Sequence, residues 1–143
     1  KLYRALIVSN LVSVYIKHYI GALSAFCGAV SASCGAGAGI TYLCGGNYQK
    51  IGRTISNTLG NVGGIVCDGA KPSCSLKAST GVSSALISAM LSMQGHVVTA
   101  TEGIVDDDVD VCIRNLADLG RDGMAQTDLK VLKIMTSKGK RNA

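Results

Sequence analysis

The sequence predicts an all-α fold, a compact bundle of about six helices with small-residue helices buried inside it. Three observations carry this expectation. Apolar positions recur at helical spacing through segments of helical length, with capping and breaking residues at their ends. No segment shows the two-residue alternation of a half-buried strand. The 143 residues include 18 Gly, no Trp and one Phe, so a core must come from small and aliphatic side chains whose backbones approach closely.

The elements follow in order. Residues 2–20 are apolar on most faces, which predicts a largely buried first helix. Residues 21–43 predict a second helix of small residues, broken by the series Gly35, Gly37 and Gly39. Asn47 suits the N-cap of a third helix, with Tyr48, Ile51, Ile55 and Leu59 on one stripe and Gly60 at its end. Gly63 and Gly64 lead into a loop that ends at Pro72. A fourth helix starts at Pro72 or Ser73, because proline suits a helix start, and runs to about Met93, where Gly95 stops it. Residues 96–105 read as a connection. Asp106 or Asp107 then caps a helix through Leu119, with Val109, Ile113 and Leu116 inward and Gly120 at its end. A last helix covers about 124–137, and the basic residues 138–143 read as a frayed tail.

Length and charge bound the function. A chain of 143 residues makes one domain that buries roughly two thirds of its unfolded surface; no repeat or linker divides it. The net charge is +5, with Lys1, Arg4, Lys17, Lys50, Arg53, Lys71 and Lys77 facing only Asp68 before Glu102. These cations are scattered, without a run or interleaved aromatics, which argues against nucleic acid and fits small acidic substrates or a negatively charged cofactor.

Residues 19–49 and 78–101 carry no Asp, Glu, Lys or Arg. Each is long enough to span a bilayer, which takes about 20 residues. The first is rich in Gly, Ala and Ser and poor in the large aliphatics that favour insertion, so burial inside a helical domain is preferred to a membrane span. Lys1 and Arg4 before the apolar residues 5–16 imitate a secretory signal, but Lys17 and His18 interrupt it. A piece of a longer polypeptide is the better reading, and a cytoplasmic location is expected.

The chemistry concentrates in the segment Cys67-Asp68-Gly69-Ala70-Lys71-Pro72-Ser73-Cys74, which holds the chain's only proline. Two thiols in one loop, with Cys27 upstream in a glycine-rich apolar stretch, point to a soft-metal site. By spacing alone the buried-core reading of the cysteines is stronger, since zinc-type Cys-x-x-Cys pairs and ferredoxin-type runs are both absent. A disulfide framework is not expected of a chain this apolar.

Three stretches carry a more specific signal: GALSAFCG at residues 21–28, NTLGNVGGIVCDGAK at 57–71, and SCSLK at 73–77. Together with TEGIVDDDVD at 101–110 and IRNL at 113–116, they resemble the C-terminal part of the iron-sulfur L-serine dehydratase alpha-chain family, in the branch that contains the L-cysteine desulfidases. The resemblance covers about residues 15–138, and the CDGAKPSC loop is its most specific part. It implies that Cys27, Cys67 and Cys74 are the three thiolate ligands of a [4Fe-4S] cluster whose open iron acts as a Lewis acid. It also implies elimination of water or sulfide from L-serine or L-cysteine, giving pyruvate and ammonia. Family members are much longer, and the general base lies before the first residue here. The expected partners are therefore a small amino-acid substrate and the N-terminal remainder or a partner subunit, with a homo-oligomer left open.

Around those thiols, Lys71 can offset thiolate charge, bind a carboxylate or sit solvated in the loop. Asp68 can orient Lys71 or cap local backbone, and the cap is the favoured role. Asn57 and Asn61 can donate hydrogen bonds to the cluster or substrate, or serve only backbone conformation. Asp106, Asp107, Asp108 and Asp110 lack the offsets of a calcium loop and read as a helix start. His18 and His96 read as ordinary histidines, and Cys34, Cys44 and Cys112 as core thiols. The rival readings are a non-catalytic helical fragment or interaction module with unliganded cysteines, and a small membrane protein.

Overall fold

In a computed structural model that describes residues 1–21 and 24–138, the chain folds into six α-helices. They are α1 (Leu2–Ile20), α2 (Gly28–Leu43), α3 (Tyr48–Val62), α4 (Cys74–Met93), α5 (Val109–Asp118) and α6 (Ala125–Ser137), with a π-helical turn at Leu119–Gly123 joining the last two. The all-α expectation holds: the described residues form no strand, only one isolated antiparallel bridge between Phe26 and Val66.

Helix α2 is the centre of the bundle, and its small residues explain why. A glycine inside a helix costs about 0.5–1 kcal/mol relative to alanine, so the 35-37-39 series was expected to break it. The helix instead runs through, because a missing Cβ is what its neighbours require. A Cβ on Gly35 would lie 2.0 Å from Ser13 Oγ and 2.4 Å from Ser9 O of α1. On Gly39 it would lie 3.0 Å from Ala5 O, and on Gly37 2.9 Å from Thr54 Cγ2 of α3. The glycines thus trade helix propensity for close approach on two sides.

These contacts also fix directions. Residues 35 and 39 of α2 meet residues 13 and 5 of α1, so the two helices run antiparallel. Thr41 Oγ1 and Thr54 Oγ1 share a buried hydrogen bond of 2.7 Å while Gly37 faces Thr58, which makes α3 antiparallel to α2. Ser92 Oγ donates to Lys50 O at 2.6 Å and Asn57 Nδ2 reaches Ser88 O, so α4 is antiparallel to α3. It follows that α2 and α4 are parallel: Gly81 of α4 abuts Ser33 and Ala29, and Gly37 faces Ala85 O. Both therefore begin at the same end of the bundle.

The core gathers Ile16, Ile20, Phe26, Val30, Cys34, Ile55, Leu59 and Val62 with Ile113 and Leu116 of α5. Several boundaries differ from the sequence expectation. Helix α2 starts at Gly28 rather than at residue 21, since residues 24–27 are extended toward the Phe26–Val66 bridge; Ala22 and Leu23 lie outside the described residues. Helix α3 passes Gly60 and ends at Val62. Asn47 does cap it, accepting from Lys50 N at 3.0 Å, but Tyr48 is 82% exposed and does not join the stripe. Helix α5 is capped by Asp108, not by Asp106 or Asp107: its carboxylate accepts from Asp110 N at 2.8 Å.

Helix α1 is also less buried than expected. Only Ala5, Ile16 and Ile20 are buried, while Tyr3, Ile7, Leu11 and Val14 line its outer face. No described helix is long and apolar enough to cross a membrane. The expected tail at 139–143 lies outside the described residues.

The glycine row yields a direct test. Gly35→Val should destabilise the chain by about 3 kcal/mol or more, as overpacking against rigid backbone does. Gly28→Ala, whose Cβ would meet nothing within 4 Å, should leave stability nearly unchanged. Urea unfolding midpoints of the two variants check this.

Candidate metal centre

The end of the bundle where α2 and α4 begin also receives the end of α3. Cys27 is the N-cap residue of α2 and Cys74 the first residue of α4. Free N–H groups and the positive end of the helix macrodipole lie at these positions, which suit an anionic ligand. Two of the three candidate thiols thus owe their place to the parallel packing of α2 and α4.

The third is brought in by the bridge. Cys27 N donates to Ile65 O at 2.8 Å and Cys67 N to Ala25 O at 2.6 Å, on either side of the Phe26–Val66 pair. Alternation along paired strands puts the side chains of positions 27 and 67 on the face opposite Phe26 and Val66. Phe26 turns into the core, at 4% exposure, and the bridge holds the backbone of Cys67 against the segment that ends at Cys27. Cys27, Cys67 and Cys74 are all partly buried, and Cys74 Sγ lies 3.6 Å from Gly69 O in the loop between them.

Charge at this end is organised by Asp68. Its carboxylate pairs with Lys71 through Oδ2 and with Lys77 through Oδ1. The favoured role of a backbone cap is therefore corrected: both oxygens serve ammonium groups. Lys71, then Lys77, holds the Asp68 carboxyl well below the usual carboxylate range. Lys77 was not singled out from the sequence. Its ammonium donates to Val66 O at 2.8 Å and to Asp68 Oδ1 at 2.6 Å. The Asp68 hydrogen bond pushes its pKa up first, with further support from the nearby charges of Asp68, Cys27 and Cys74. The available signal was its spacing, since residues 74 and 77 share one helix face.

Gly69 shapes the loop. Its φ of +93° suits glycine, and a Cβ there would lie 2.6 Å from Met135 Cε of α6. Below the loop, a cavity of about 740 Å³ is bounded by Cys67, Gly69, Ser24, Arg121, Asp128 and Met135, among others. That is ample for a small ligand.

Other candidates lie elsewhere. Asn57 Nδ2 donates to His96 O at 3.1 Å and its Oδ1 accepts from Val98 N at 2.9 Å. It pins the 96–98 connection, and with Asn61 it borders a separate cavity beside α4. Asp106 and Asp108 accept from the backbone of Asp108 and Asp110, as a helix start should. All six cysteines are free. Cys34 and Cys112 are buried, and burial pushes the Cys34 thiol far up, but Cys44 is exposed at the end of α2 and is no core thiol. His18 packs edge-on against Tyr19 at the surface.

Among the described residues, no three His, Cys, Asp or Glu side chains are drawn together as a site for a single metal ion. A cube-shaped cluster takes one thiolate at each of several corners and needs a wider donor set. The donor chemistry here, three partly buried thiols of which two lie at helix N-termini, suits such a sulfur-ligated, anionic group.

The profile of the serine dehydratase alpha chain matches residues 1–133. The chain belongs to the serine dehydratase alpha-chain family. Similar proteins include a UPF0597 protein of Porphyromonas gingivalis, 58% identical over 94% of this chain and 31% of that protein. One from Bacteroides thetaiotaomicron is 52% identical over 97% of this chain and 32% of its own length, and one from Oleidesulfovibrio alaskensis is 51% identical over 96% and 32%. The chain therefore spans about a third of the length of these curated relatives, whose names state no reaction. No solved structure matches it.

The ion-pair geometry around Asp68 predicts a pH dependence. A carboxylate whose folded pKa is depressed contributes stability above the unfolded value of about 3.9. That contribution fades as pH falls below this value toward the depressed one. Asp68→Asn should be less stable than wild type at neutral pH, and the gap should close as acid unfolding is followed from pH 5 to pH 2.

Proposed function

We propose that this chain is the cluster-binding part of an iron-sulfur-dependent lyase that eliminates water or sulfide from L-serine or L-cysteine, leaving pyruvate and ammonia. What supports the reading is membership of this family, together with the backbone placement of Cys27 and Cys74 at the starts of α2 and α4 and of Cys67 in the segment bridged to the one before α2. Cys27, Cys67 and Cys74 would hold a [4Fe-4S] cluster, which supplies Lewis acidity toward the leaving hydroxyl or thiol.

The chain's own residues do the rest of what falls to this third of the enzyme. The N-termini of α2 and α4 bring positive dipole ends to Cys27 and Cys74, which suits an anionic cluster. Lys77 and Lys71, tied to Asp68, bring positive charge to the same end. The cavity beside Cys67 is lined by Arg121 and Asp128, opposite charges that suit the carboxylate and ammonium of a free amino acid. Arg121 is held by Asp118 at 2.8 Å. The base that takes the α proton is assigned to a companion segment such as the relatives carry in their remaining length.

Anaerobic reconstitution with ferrous iron and sulfide tests this. The wild-type chain should turn brown and bind about four iron atoms per molecule. Cys27→Ala, Cys67→Ala and Cys74→Ala should each lose most of the visible absorbance, whereas Cys44→Ser should retain it. A wild-type chain that stays colourless, with its thiols fully reactive toward an alkylating agent, would sink the assignment and favour a non-catalytic helical module.

A further inference from the structure

Lys77 lies outside the CDGAKPSC loop, yet its ammonium is the most firmly anchored charge at the thiol end of the bundle. One N–H donates to Val66 O at 2.8 Å and another to Asp68 Oδ1 at 2.6 Å. Val66 and Asp68 are the two neighbours of Cys67 along the chain, so these anchors tie the ammonium to the segment on either side of that residue. An ammonium has three donors and no acceptor, which leaves one N–H unspent by these bonds. Gly81, one turn further along α4, abuts Ala29 and Ser33 of α2, so the helix face that carries Lys77 is turned toward the helix that Cys27 caps. The helix geometry agrees: Lys77 is one turn into α4 from Cys74, on the flank that faces the parallel α2 beginning beside Cys27. Its side chain is 25% exposed, against 38% for Lys71 on the other carboxylate oxygen.

We propose that Lys77 is the charge-positioning residue of the metal centre, directing its remaining N–H and its positive charge at the group held by Cys27, Cys67 and Cys74. The inference rests on the cluster reading above. A sulfur-ligated cluster carries net negative charge, and its reduction potential follows the local charge, hydrogen bonds to sulfur and solvent exposure. A fixed, partly desolvated cation stabilises the more electron-rich state, so the potential is raised while it is present. Asp68 keeps the long side chain in one place; without that anchor the ammonium would spend much of its time in solvent.

The experiment compares wild type, Lys77→Met, Lys77→Arg and Asp68→Asn, with Lys50→Met at the far end of the bundle as control. Each is loaded anaerobically with ferrous iron and sulfide and assayed for iron and acid-labile sulfide. Each is then titrated with a chemical reductant while the visible and paramagnetic resonance spectra are followed. Lys77→Met keeps most of the stem's packing and should bind iron within about a factor of two of wild type. Its midpoint should move to more negative potential, and its cluster should bleach in air several-fold faster. Lys77→Arg should recover most of the midpoint, Asp68→Asn should fall between, and Lys50→Met should match wild type.

A Lys77→Met midpoint equal to wild type at equal iron content overturns the proposal. So does joint loss of iron from Lys77→Met, Lys77→Arg and Asp68→Asn, which would make Lys77 a loop staple only. A wild-type chain that takes up no iron overturns the cluster reading itself and this inference with it, and that failure is visible before any variant is titrated.

Discussion

The close approach of three helices to α2 is the constraint on which everything else depends. Gly35 and Gly39 admit the backbone and short side chains of α1, Gly37 admits Thr54 of α3, and Gly81 of α4 admits Ser33 from the other direction. At such distances the gain is dispersion between closely fitted backbones rather than burial of large side chains. That suits a composition with a single Phe and no Trp. It also makes the register of α2 against α4 unusually strict, because a shift of one residue would drive a Cβ into a main chain. That register sets the two helix N-termini at the same end of the bundle, about one turn apart along it.

From that register follows the placement of the thiols. A parallel pair of neighbouring helices puts two positive dipole ends at the same place, which antiparallel neighbours cannot do. Cys27 and Cys74 occupy those ends, and the Phe26–Val66 bridge adds Cys67 by clamping the segment before α2 to the segment after α3. The cations Lys71 and Lys77 gather at this end through one shared carboxylate. Asp68 does for the ammonium groups what a second layer of hydrogen bonds does for metal ligands, holding their positions while leaving their charge in excess.

Much of this was legible in the sequence, but only where the signal was local. Asn47 as a cap, the start of α4 after Pro72, and the inward faces of Ile113 and Leu116 are decided within one or two turns, and the structure agrees. The glycine series misled because its cost is local while its benefit lies in α1 and α3, dozens of residues away. Tyr48 fitted the stripe of α3 by spacing, yet nothing packs over it. The loop sequence pointed to Cys67 and Cys74. What it could not give was Lys77, whose role depends on an acceptor nine residues back, or the bridge from Phe26 to Val66 across forty positions. Asn57 was left open between a ligand contact and a conformational role, because the backbone of residues 96–98 that its amide engages lies about forty positions away.

The outer surface completes the argument. Tyr3, Ile7, Leu11 and Val14 follow one another at intervals of four, four and three along the outer face of α1, which is the spacing of a helix seam. Helix α4 carries Val82, Leu86 and Met90 on its outer side in the same fashion. Contiguous apolar rows of this kind mark surfaces meant to be covered, and they lie on the two helices that flank α2. The row on α4 lies on the helix whose first turn carries Cys74 and Lys77, so that apolar face runs along the same element that builds the candidate metal centre.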